Sequence, residues 1–208
     1  MLKSTGLSFF VPLIMVDAVL PLILYFDVKK FGLKQGFEFS LAFFMLCIPF
    51  MSVWWLILSL RDFVESDGCE IVYVNQDKNK LLDSIAIFLI YIVDVLILFL
   101  VIRHWYPPTV YPIFPQMYKI MLTSVFYFGV TYFVMFVVRN TTAALMVSIL
   151  YTIVNVVICS FKSKIIPFLY YYTDGGIMTF YLTYVPLAAL GVALVFLACI
   201  INSKRRKV

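Results

Sequence analysis

Two aspartates set inside long apolar runs carry the sharpest chemical signal in this chain. Asp17 lies near the middle of the first run and Asp94 near the middle of the third. An ionisable group at mid-membrane depth costs about 2.5–3.5 kcal/mol on insertion scales and usually faces protein or water. No lysine or arginine stands at matching depth in any run. Each acid is therefore protonated and hydrogen-bonded, paired across an interface, or set in a polar cavity on a transport pathway. A second signal is a stripe of small polar residues. Ser148, Thr152 and Asn155 follow i, i+4, i+7 spacing and share a helix face, and Ser124, Tyr127 and Thr131 share another in the run before it. In lipid such a stripe turns toward protein or a cavity. It is either an interhelical fastener or a wall facing substrate.

Other chemistries are excluded by what the sequence lacks. No G-x-x-x-x-G-K-[ST] loop occurs, so this chain hydrolyses no ATP by that route. Its one histidine, His104, ends an apolar run, where it reads as a headgroup contact; an H-E-x-x-H protease site needs two. Cys47, Cys69, Cys159 and Cys199 have neither metal-ligand spacing nor a disulfide framework, and read as small apolar residues. No catalytic group, metal site or cofactor is expected, and the chain is not expected to be an enzyme.

The elements that must position the two acids follow from composition. The chain has 208 residues, 64% of them hydrophobic and 13% charged, with a mean hydropathy of +1.03. Soluble domains carry roughly 25% charged residues, and a membrane helix needs about 20 apolar ones. Six runs qualify, at about 7–25, 39–60, 81–102, 119–138, 143–160 and 177–201, so the expected fold is all-α, a single polytopic membrane domain of six transmembrane helices. Asp17 breaks the first run and no clean cleavage site follows, so it reads as a retained span and not a signal peptide. The short segment after it, 26–38, reads as a loop with Lys29, Lys30 and Lys34. Four prolines, Pro107, Pro108, Pro112 and Pro115, argue against a regular helix between the third and fourth runs. Arg139-Asn140-Thr141-Thr142 is a tight link, predicting an antiparallel hairpin of spans 4 and 5. Residues 161–176, with Tyr170 to Tyr172, read as an interfacial or re-entrant piece.

Charge sets the orientation. With the N-terminus inside, the inner face holds Lys3, Arg61, Lys78, Lys80, Arg139, Lys204, Arg205, Arg206 and Lys207. The outer face holds Lys29, Lys30, Lys34, Arg103, Lys119, Lys162 and Lys164. The excess, concentrated in the tail, predicts a multi-pass cell-membrane protein with both termini cytoplasmic. The net charge of +5 reads as contact with anionic lipid and not with nucleic acid.

One charged stretch, 61–80, stands between the second and third runs as a cytoplasmic handle. Val64, Ile71, Val72 and Val74 lie among its charges, which suits a groove on a partner. The surrounding sequence PFMSVWWLILSLRDFVESDGCEIVYVNQDKNKLLDSI, residues 49–85, resembles the membrane (permease) subunits of ABC-2 type transporters, most of all the small permeases of Gram-positive bacteria. In that family an acidic E-x-x-G-x-x-E segment ends the second span and precedes a short coupling helix. Glu65, Gly68 and Glu70 match it in kind, although Gly68 to Glu70 is one residue shorter than in the commoner version, and the following basic residue is Lys78 or Lys80. The resemblance implies an ABC-2, type V exporter-like architecture and two copies of a separate ATPase subunit. It also implies a second membrane subunit, identical or related, and export of an amphipathic or hydrophobic peptide, lipid or drug. On this reading Gly68 makes a sharp turn, Glu65 and Glu70 cap a short helix, and Glu70, Ile71 and Tyr73 meet the ATPase. The alternative is a secondary carrier or a vitamin-uptake membrane component that uses Asp17 and Asp94.

Overall fold

The computed structural model describes the backbone at residues 6–65, 69–106, 113–160 and 177–205, and side chains at 8–61, 64, 81–106, 113–154 and 184–202. The described residues form six helical rods. The first, α1, is built of four pieces: a 3₁₀ turn at Gly6–Phe10, an α-helical piece at Val11–Leu13, a π-helical segment at Ile14–Val19 and an α-helix at Leu20–Phe31. The others are α2 (Leu33–Glu65), α3 (Cys69–Trp105), α4 (Ile113–Val138), α5 (Thr141–Ser160) and α6 (Ile177–Arg205). Five stretches are long and apolar enough to cross a membrane: Ser8–Phe31, Leu33–Arg61, Leu81–Trp105, Ile113–Val138 and Tyr184–Asn202. Within α5 the described apolar stretch, Thr141–Val154, is shorter than a full crossing. The chain is thus an all-helical polytopic membrane protein.

Several boundaries differ from those expected. The loop at 26–38 shrinks to one residue. Gly32 adopts φ 82°, a conformation that L side chains rarely take, and α2 begins at once. The turn closes tightly because Gly36 meets α1 directly: a Cβ there would lie 2.6 Å from the Val28 backbone. Ser40 then donates to Asp27 Oδ2 at 2.8 Å, joining the two helices again. Lys29 and Lys30 fall in the last turn of α1, where they oppose the partial negative charge of its free carbonyls. The expected proline loop is also shorter, because Pro115 enters the first turn of α4, where a missing N–H breaks no helical bond. Residues 107–112 and the interfacial piece expected at 161–176 lie outside the described residues.

The handle is helical wherever its backbone is described. α2 runs 33 residues and α3 runs 37, or about 50 and 55 Å at 1.5 Å per residue. The hydrocarbon core is about 30 Å thick. The apolar part of α3 begins at Leu81, so residues 69–80 carry the helix about 18 Å beyond it. The coupling loop expected over 61–80 is therefore corrected to helix at 61–65 and at 69–80, with 66–68 outside the described residues. Charged residues there extend the helices because water can solvate them outside the bilayer while each backbone bond is kept.

Packing is centred on α2 and α4. One buried cluster joins α1, α2, α3 and the start of α4 around Leu20, Ile48, Val95 and Ile120. A second joins α2, α4, α5 and α6 around Leu56, Val64, Met135 and Ala198. The closest crossing is α4 on α6, at Gly129 and Gly191. A Cβ on Gly129 would collide with the Gly191 backbone, and one on Gly191 would lie 2.7 Å from Phe126 Cα. Small residues let membrane helices approach this closely, which is how van der Waals contact holds them without a hydrophobic drive.

Candidate functional site

The acids are brought together where the π-helical segment of α1 touches α3. Asp17 sits within that segment, whose wider turn is shown by Leu20 N–H bonding Met15 O, five residues back. Pro21 follows four residues after Asp17 and its ring crowds the Asp17 carbonyl, which favours a widened turn. Asp17 is exposed on the outer side of α1, while Asp94 is half-buried. The two carboxyls lie within electrostatic reach of each other. Asp94 Oδ2 is buried and, among the described residues, accepts no hydrogen bond. One oxygen of Asp94 thus lacks the partner that burial calls for.

Tyr91, one turn before Asp94, is only 1% exposed. Its hydroxyl lies within electrostatic reach of both acids and donates to the Ile48 carbonyl at 2.6 Å. Its ring meets Trp55 edge-on at 5.9 Å, and Trp55 stacks on Phe9 at 5.1 Å. Trp54 and Trp55 also serve the backbone of α1. Pro12 has no N–H to give the Ser8 carbonyl four residues back or the Phe9 carbonyl three residues back. The indole of Trp54 donates to Ser8 O at 3.0 Å and that of Trp55 to Phe9 O at 2.8 Å. Two donors from α2 thus complete the backbone of α1 just before the acid-bearing turn. Sequence reading missed this clasp, although Pro12 and the Trp–Trp pair were its visible signals.

The polar stripe forms a seam. Tyr127 and Thr152 hydroxyls share a hydrogen bond at 2.8 Å, and Thr131 and Ser148 share one at 2.9 Å. Ser148 also donates to Ala144 O and Thr152 to Ser148 O. Ser124 stands apart and bonds Ile120 O on its own helix. Membrane hydrogen bonds of this kind average about 0.6 kcal/mol each. They fasten α5 to α4 through mutual satisfaction and leave Ser148 buried. Asn155 continues α5, with its side chain outside the described residues.

The hairpin turn joining these helices is two residues long. Arg139 takes φ 56° and bonds Met135 O through its N–H, and Asn140 Oδ1 accepts the Ala143 N–H at 2.9 Å as an N-cap. Lys119, expected at a membrane face, lies six residues into α4 and is only 9% exposed, its ammonium 5.7 Å from the Tyr184 ring centre.

The handle residues divide. Glu65 ends α2, and Glu70, Ile71 and Tyr73 lie in the first turns of α3, with their side chains outside the description; Gly68 lies outside the described residues. No cluster of metal-ligating side chains occurs among the described residues. Comparison with protein-family profiles, curated proteins and solved structures gave no match.

Proposed function

We propose that this chain is the membrane subunit of an ATP-driven transporter of the ABC-2 type. In this reading six helices cross the cell membrane, both termini are cytoplasmic, and a separate ATPase supplies the energy. A second membrane subunit completes the pathway. The observation that carries the reading is the handle: the described backbone of α2 and of α3 continues as helix past the apolar part of each. Because α2 is helical from Leu33 to Glu65, a push on its charged end is delivered along the helix. The Trp54–Trp55 clasp passes that displacement to α1. A purely solvated loop would dissipate it.

Cargo of amphipathic or hydrophobic character, such as a peptide, lipid or drug, is what the resemblance to that family implies. Crosslinking from residues 69–78 in membranes holding the candidate ATPase tests this reading. Adducts to the ATPase are expected. Crosslinks to lipid alone, with transport still dependent on ATP, would reject the docking role.

The carrier reading retains one specific support, the unpaired Asp94 Oδ2 beside Asp17. It predicts transport that follows an ion gradient in the absence of any ATPase.

A further inference from the structure

Asp17 presents a difficulty that the single chain does not resolve. It is exposed on the side of α1 that turns away from the rest of the protein, flanked by exposed Ile14, Ala18 and Leu22. Beside it on α3, Val93 and Ile97 are exposed around half-buried Asp94. This face would otherwise meet hydrocarbon, which offers a carboxyl no hydrogen bond. Of the two mid-membrane acids, Asp17 is the exposed one and Asp94 is half-buried with its Oδ2 covered. The neighbouring Tyr91 hydroxyl is already given to Ile48, and the Ser148 and Thr152 hydroxyls to their own seam.

A second copy of the chain supplies what this face lacks. A two-fold axis along the membrane normal brings residues of equal depth together, so each patch meets itself. A carboxylic acid can donate to a carboxylate, and two acids a short distance apart share a proton readily because both cannot ionise. Ala18 beside Asp17 is small enough to let two backbones approach. We infer that the α1–α3 face bearing Asp17 and Asp94 is the contact surface for a second copy of this chain, with carboxyls of the two copies hydrogen-bonded across the axis. The inference names the identity and the face of the second membrane subunit in the function proposed above, and its role in transport rests on that reading.

The test is thiol crosslinking in native membranes, in a chain whose four cysteines are first replaced by alanine. Ala18→Cys and Val93→Cys, treated with a short bifunctional thiol reagent, should move the chain from 24.1 kDa to twice that mass. Leu150→Cys and Phe196→Cys, exposed on α5 and α6, should stay at the single mass. Adding Asp17→Leu should lower the Ala18→Cys dimer yield several-fold, while Asp17→Asn should preserve it, because an amide both donates and accepts. Several outcomes would overturn the inference: dimers from Leu150→Cys but not from Ala18→Cys, an adduct to a different protein, or single-mass chain throughout. Equal yield from the Leu and Asn variants would remove the carboxyl contact from it. ATPase adducts on the handle are read separately. Their presence without Ala18 dimers sinks this inference alone, and dimers without ATPase adducts sink the transporter reading alone.

Discussion

Adding one methyl group at the α4–α6 crossing tests the packing argument directly. At Gly191 a Cβ would stand 2.7 Å from Phe126 Cα and 2.8 Å from Val125 O, both backbone atoms that no rotamer change can move. Ordinary contact begins near 3.4 Å, so the helices must separate by about 0.7 Å along much of their contact. Overpacking of this kind costs about 1–3 kcal/mol. Gly191→Ala and Gly129→Ala are each expected to lose about 2 kcal/mol. The two glycines face each other, so one separation serves both substitutions. The double variant should therefore cost about 2–3 kcal/mol, less than the sum of the singles, a coupling of roughly 1–2 kcal/mol. Reversible unfolding in detergent or bicelles, followed on all four proteins, measures the cycle. Ala189→Gly, at an exposed site on the same helix, controls for helix propensity. Single variants within about 0.5 kcal/mol of the parent, or strictly additive losses, would refute a backbone-to-backbone crossing.

Other consequences can be measured in the same way. Trp55→Phe keeps the ring but removes the donor to Phe9 O, and should destabilise by about 1–3 kcal/mol; Pro12→Ala restores a backbone N–H, so the same change in that background should cost distinctly less. Asn140→Ala should lose about 1 kcal/mol with its N-cap, whereas Arg139→Gly should relieve the left-handed backbone and raise stability in the same unfolding assay. Asp94→Asn should insert and assemble as the parent does, and Asp94→Leu should lower dimer yield. If both variants assemble normally and are equally dead in transport, the acid belongs to the pathway.

The apolar rods were legible because hydropathy over 20 residues is a strong signal. Their ends were less so. Lysines at 29, 30 and 34 read as loop residues, yet a cation also favours a helix C-terminus, and only the positive φ of Gly32 decides where the chain reverses. Pro115 read as a breaker because its position in the first turn depends on where α4 starts. Lys119 read as a residue of the membrane face, with no signal in the sequence that protein would cover it. In the handle, charges hid helical backbone at 61–65 and 69–80, since composition reports solvation and not backbone form. The acids were visible as a signal, but the meeting of Asp17 with α3 was not. Face assignment assumes 3.6 residues per turn, and α1 departs from that period on both sides of Val11–Leu13. The hydroxyl stripe was readable for the opposite reason: α4 and α5 are regular, so spacing translated directly into Tyr127–Thr152 and Thr131–Ser148 contacts.

The clasp between Pro12 and the two indoles also bears on how the protein is made. Each indole lies 46 residues after the carbonyl it serves. At synthesis rates of about 5–20 residues per second, that interval lasts roughly 2–9 s. Throughout it the Ser8 and Phe9 carbonyls lack their indole donors, and hydrocarbon offers none in exchange. Ser8 opens the apolar stretch, so water at the membrane face serves it until the second span arrives. The clasp thus gives assembly a direction, in which the second span finishes the first.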